Sequence, residues 1–166
     1  MLAKRLVIAA AAVAVAVAAA TMPAHAADPG KKIVFQIQVH PVSGDLHDLP
    51  GGVSYGQSRL AGTTTWGKQS AKVEWMCSHV STNGAGPAHD LVTITRADGA
   101  VLALSLHGRI NGDSLRGTVD VIGGKGAYRG ATGTGTVVGS PGEATVSVNV
   151  DPNGSARAAS KGGVGC

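Results

Sequence analysis

Two stretches of the chain collect side chains able to hold a metal or move a proton. His40, Asp45, His47 and Asp48 lie in one, and Cys77, His79, His89 and Asp90 in the other. Imidazole, carboxylate and thiolate together are the donor set of zinc and other transition metals. Neither spacing matches a closed metal site, and solvated loop residues account for the first stretch without a metal. We expect no metal and no cofactor. Hydrolysis finds less support still. There is no Gly-x-Ser-x-Gly elbow, and Ser, His and Asp show no triad-like arrangement. Glu74, between Lys72 and Met76 in alternation, would be a cavity acid if buried. An outward Lys–Glu pair explains it more simply.

Ligand binding asks for aromatic surface with a few polar handles. Tyr55, Arg59, Trp66, Trp75 and His107 supply both, and they are the candidates for lining a cavity or its mouth. Core packing explains Trp75 almost as well. A third feature is VIGGKGAYRGATGTGTVVGS, residues 121–140. Residues 124–130 read G-x-G-x-x-x-G, one residue longer than the dinucleotide fingerprint. That fingerprint must open a helix whose N-terminus meets the phosphates. Alternating β-branched residues follow here instead, and no Gly-Lys-Ser/Thr occurs, so a nucleotide loop is excluded. The glycines are architectural. Gly123 and Gly124 are expected to break a strand and allow positive φ. Gly126 to Arg129 form one tight turn that folds Tyr128 over an open end of the core. Gly130 follows, and the bare face at Gly133 and Gly135 admits a close neighbour or strong coiling.

The elements that must position these residues are strands nearly throughout. Ile33, Phe35, Ile37 and Val39 alternate with polar or exposed partners, the two-residue period of a half-buried strand. Residues 40–50 read as a loop bracketed by prolines. Residues 55–66 form one bent strand or two. In residues 71–80, Val73, Trp75, Cys77 and His79 share one face. A loop at 83–87 precedes strands at 91–96 and 100–107, joined by Asp98-Gly99, a type I′ hairpin signal. Asn111-Gly112 offers a second such turn before a strand at 115–122. Strands at 131–139 and 143–150 flank Ser140-Pro141-Gly142, which suits a type II turn. The sequence therefore predicts an all-β chain, a single antiparallel barrel of about eight strands, since closure removes exposed edges.

With these elements in place, DVIGGKGAYRGATG, residues 120–133, resembles the glycine-rich segment shared by dirigent proteins and allene-oxide-cyclase-like barrels. Lys125 stands where that family usually has Thr. The resemblance covers residues 91–150 well and 33–80 only by strand pattern. It implies an eight-stranded barrel, trimeric in many plant members, whose cavity binds small apolar molecules. No catalytic residue carries across, because the N-terminal strands match no motif. Catalysis stays open. If present, it would be of cyclase, isomerase or dirigent type.

The ends and the charge set the context. Met1 to Arg5 is a short positive region, an apolar run follows, and Ala24-His25-Ala26 supplies a small-x-small cleavage pattern. Residues 1–26 thus read as a secretory signal peptide, residues 27–150 as the barrel and 151–166 as a flexible tail. The mature chain is expected to be extracellular and to lack a membrane span. Loss of Lys4 and Arg5 lowers the formal charge from +4 to about +2. With aromatics at 3% of the chain, there is neither a basic stripe nor a stacking surface for nucleic acid. The two cysteines, Cys77 and Cys166, can form one intramolecular bond worth roughly 4–5 kcal/mol on the chain-entropy model. Two independent thiols are the alternative. The expected role is binding a small, largely apolar molecule, with guidance of a cyclisation or coupling reaction as its catalytic form. The alternative is a non-catalytic secreted module whose barrel is filled by Leu102, Leu104, Leu106, Val146 and Val148.

Overall fold

Alternation decides which side chains meet. The protein, seen in a computed structural model, is described for residues 30–140 and 142–154. The expected signal peptide, Pro141, Cys166 and nearly all of the expected tail lie outside the described residues. Eight strands run in order: β1 (Lys31–Leu49), β2 (Val53–Trp66), β3 (Gln69–Thr82), β4 (Ala85–Arg96), β5 (Val101–Asn111), β6 (Ser114–Lys125), β7 (Thr132–Ser140) and β8 (Glu143–Asp151). Each pairs antiparallel with its sequence neighbours, and β1 pairs with β8, so the sheet closes into a barrel. The fold class read from the sequence is the fold observed.

The inward face is apolar along most of the barrel. Phe35, Ile94, Leu102, Leu104, Val119, Val146 and Val148 are fully buried. Burying a side chain of this kind contributes roughly 1.5–3 kcal/mol relative to leaving it exposed. At one end Trp66 is the centre of a plug. Phe35 meets it edge-on at 5.4 Å, Tyr128 packs tilted at 4.9 Å, and the Arg96 guanidinium lies 5.6 Å from its ring centre. Tyr128 reaches this place from a 3-10 turn at Gly126–Tyr128 that links β6 to β7. The expected folding of Tyr128 over the core is what is found.

Several expectations need correction. Residues 40–49 are not a loop but the second half of β1, paired with β2 through Leu49↔Val53. A bulge between Pro41 and Ser43 shifts the alternation there, and the strand runs on past the core with both faces exposed. Beyond Val39 its other edge is unpaired among the described residues. Pro41, the bulge, Asp45 and Asp48 blunt that edge against pairing with another chain.

The type I′ turn is not at Asp98-Gly99 but at Asn83-Gly84, with φ of 52° and 76°, inside the stretch read as a loop. Between β4 and β5 only Gly99 has positive φ. Its N–H donates to the Arg96 carbonyl at 3.0 Å, and the Arg96 N–H donates to the Ala100 carbonyl at 2.9 Å. That is a type I turn with a glycine bulge. At the second site only Gly112 has positive φ, and Asn111 already pairs with Ser114.

The glycines at 123 and 124 do not end β6, which runs to Lys125. They carry a bulge instead: Ala103 pairs with Gly123 and Leu104 with Val121. Farther on, Gly133 and Gly135 face the Asn149 and Ser147 carbonyl oxygens of β8 so closely that no Cβ fits. The bare face is where β8 crosses β7, as a tightly coiled barrel requires.

Candidate functional site

At the end opposite the aromatic plug the barrel is not filled. A cavity of about 160 Å³ opens between β3, β4 and the turns that join β5 to β6 and β7 to β8. Val39, Leu60, Trp75, Ile110, Leu115 and Ala144 form its apolar walls, with Cys77, His79, Asp90, Asp113 and Glu143 among its polar members. The volume is close to that of an engineered cavity of about 150 Å³ that admits benzene or xenon. A much larger groove, about 600 Å³, runs outside the sheet along Gln36, Gln38, Thr63, Thr65, Ser70 and Thr145. It is the more open of the two and mainly polar, although Ile37, Val138 and Ala144 also line it. The end cavity is half open, and it has the more apolar walls that ligand binding uses.

Register builds the polar corner of this cavity. Cys77 on β3 stands opposite Asp90 on β4, and Trp75 stands opposite Val92. Trp75 and Asp90 are both buried. The Trp75 Nε1–H donates to Asp90 Oδ2 at 3.0 Å, while Asp90 Oδ1 is buried with no hydrogen-bond partner. Burial pushes the Asp90 carboxyl above its ordinary range, against the opposing pull of the Trp75 and Ser78 N–H groups and of His79 and His89. An acid raised in the folded state favours its protonated form there. Its contribution to stability is therefore present at acid pH and is lost as pH rises through the raised pKa. Burial, then the Asp90 charge, pushes the Cys77 thiol up to about 12. A thiol so raised is a poor nucleophile at neutral pH, so thiolate chemistry is not what this cavity offers.

The structure separates the residues that the sequence suggested. Trp75 lines the cavity. Trp66 is in the plug at the far end. Tyr55, Arg59 and His107 are exposed. Tyr55 stacks on His47 at 5.0 Å, and His107 Nδ1 lies 3.1 Å from His89 Nδ1. The two suggested metal clusters are divided as well. Adjacent residues of a strand face opposite ways, so His89 is on the outside and Asp90 on the inside. His47 pairs with Asp45 at 3.0 Å on an exposed stretch of β1. Among the described residues, no three His, Cys, Asp or Glu side chains converge to hold a metal ion. Glu74, Lys72 and Met76 are exposed. Cys77 is a free thiol here, and Cys166 lies outside the described residues.

Asp90 is the residue that sequence reasoning placed in the wrong group. Its signal was available: Ala88, Asp90, Val92 and Ile94 alternate on one buried face. A carboxylate in phase with such a run is either paired or functional.

No family model matches the sequence, and no curated protein matches it significantly. Solved structures do resemble it. A protein of unknown function from the DUF3224 family of Shewanella oneidensis MR-1 aligns with a TM-score of 0.55 at 18% identity, over 73% of this chain and 96% of that one. A pyocyanin demethylase aligns with a TM-score of 0.46 at 19% identity, over 71% and 99%. The first shows a shared barrel fold and nothing finer, and the second is too distant to support a conclusion. The barrel expected from the sequence is supported, and membership of the dirigent and allene-oxide-cyclase family is not shown.

Proposed function

We propose that this barrel is a secreted binder of one small, largely apolar molecule, held in the cavity opposite the aromatic plug. The observation behind this reading is the contrast between the two ends. One is closed by Phe35, Trp66 and Tyr128, and the other keeps an apolar chamber with a single deeply buried carboxyl. Side chains of similar size could have filled both. The chamber's volume sets the ligand, or the part of it that enters, at about the size of one six-membered ring. A larger substrate would lie partly outside the chamber. Guidance of a cyclisation or coupling would work here by confinement and orientation.

The second reading, a non-catalytic module with a filled barrel, is favoured by the full burial of Leu102, Leu104, Val146 and Val148. Native mass spectrometry of the protein from its own host's culture medium separates the two. The first reading predicts the chain without residues 1–26, carrying a reproducible adduct about as heavy as a single-ring compound. A bare mass at every collision energy favours the filled module. The same spectrum reads the subunit count, for which we propose a trimer. It also reads a Cys77–Cys166 bond, which we include in the proposal, as a mass lighter by the two hydrogens the bond removes.

A further inference from the structure

Asp90 has one satisfied oxygen and one unsatisfied one. Oδ2 takes the Trp75 indole proton, and Oδ1 is buried without a partner. The residue is only 5% exposed and sits on the cavity wall. A buried carboxyl oxygen left unpaired is costly and is rare in folded proteins. Leu60, Leu115 and Ala144 on the deep walls offer it nothing, and the Trp75 N–H is already used. Neither the Ser78 N–H that draws on the carboxyl nor the polar wall members Cys77 and His79 make a hydrogen bond to Oδ1. A partner that enters the cavity from outside would satisfy it.

We propose that Asp90 Oδ1 is the polar anchor of the cavity and that the ligand is a small apolar molecule bearing a single hydroxyl group. This rests on the reading of the cavity as a ligand site. The hydroxyl follows from the chemistry of the corner. It donates to a carboxylate and accepts from a carboxylic acid, so it satisfies Oδ1 in either protonation state. A ketone satisfies only the acid form. A ligand carboxylate would be repelled by ionised Asp90, and an ammonium would be left unpaired by the protonated form. A second polar group on the ligand would find no partner on Leu60, Leu115 or Ala144. One hydroxyl on an otherwise apolar ring suits Asp90 and the apolar walls, while the polar lining residues Asp113, Ser114 and Glu143 are exposed.

Cyclohexanol and methylcyclohexane are near-isosteres that differ in this group, and the Trp75 indole N–H resonance reports on the corner directly. In titrations of the purified chain followed by that resonance, cyclohexanol is expected to bind about tenfold more tightly than methylcyclohexane, a step of about 1.4 kcal/mol. Asp90→Leu reverses the order, because the hydroxyl then has no partner. Asp90→Asn keeps it, having both a donor and an acceptor in the same place. Should Asp90→Leu not fold, Asp90→Ala takes its part.

Tighter binding of methylcyclohexane by the wild-type chain overturns the anchor and leaves the cavity reading standing. The same is true if the preference for cyclohexanol is unchanged in Asp90→Leu. A tightly held water on Oδ1 would produce the first of these results. Binding of neither compound overturns the cavity reading, and the anchor with it.

Discussion

Gly124→Val is expected not to fold. Gly124 pairs with Leu102 across the β5–β6 ladder. A Cβ there would overlap the Val101 carbonyl oxygen and come within 2.9 Å of the Tyr128 Cβ. The first obstacle is backbone held in a ladder, and the second is the residue that packs on Trp66. Neither can yield without opening the bulge or withdrawing the plug. We expect a loss above about 4 kcal/mol, in the range reserved for backbone clashes in a core. Gly123→Ala is the control. Its φ is +127°, which strains any side chain, but nothing lies within 4 Å of its Cβ. Strain alone should cost about 1–3 kcal/mol, leaving a folded protein with a lower melting temperature. Circular dichroism melts compare the two. A Gly124→Val protein melting within a few degrees of wild type would end the architectural account of these glycines.

Ala144→Leu should close the cavity without harming the fold. Ala144 starts the buried face of β8 opposite Gly139 on β7 and Ile37 on β1, and its methyl borders the chamber. Three added carbons project into space that the wild type leaves empty. Each buried methylene contributes about 0.8 kcal/mol, part of which imperfect fit takes back. A net gain of about 1 kcal/mol, a few degrees in melting temperature, is the expected outcome. Affinity for a ring-sized ligand should fall by about a hundredfold or more, because the ligand and the new side chain need the same volume. Wild-type affinity in a folded Ala144→Leu protein would place the binding site elsewhere.

The two substitutions act on opposite ends of one design, and the sequence revealed those ends unequally. Strand alternation in Phe35, Ile37, Val73, Trp75, Leu102 and Leu104 was legible because each faces a continuous core. The barrel followed from it. Residues 40–49 were illegible as a strand for a physical reason. The bulge after Pro41 breaks the period, and a strand beyond the core has no buried face to mark. Turn chemistry at Asp98-Gly99 misled because Asp-Gly fits both a type I′ turn and a type I turn with a glycine bulge, and only the hydrogen bonds of Arg96 distinguish them.

The cavity was the least legible part. Tyr55, Arg59 and His107 have the right chemistry but the outward phase, and Tyr55 belongs to a strand whose inward neighbours are small or polar. Side-chain type says what a residue can do, whereas register says what it can reach. Asp90 combines both, since its phase with Val92 and Ile94 commits a carboxyl to the interior. What no single strand could show is that the far wall, Leu115 and Ala144, stops short of filling the space.

The barrel is filled along its length except for an apolar chamber at the end away from Trp66. Crystals of the protein pressurised with xenon test this most directly, because xenon enters apolar cavities of this size. The predicted result is a single strong xenon peak inside the barrel, between Trp75, Leu60, Leu115 and Ala144. No xenon there, or xenon instead among Phe35, Leu104 and Val148, would contradict it.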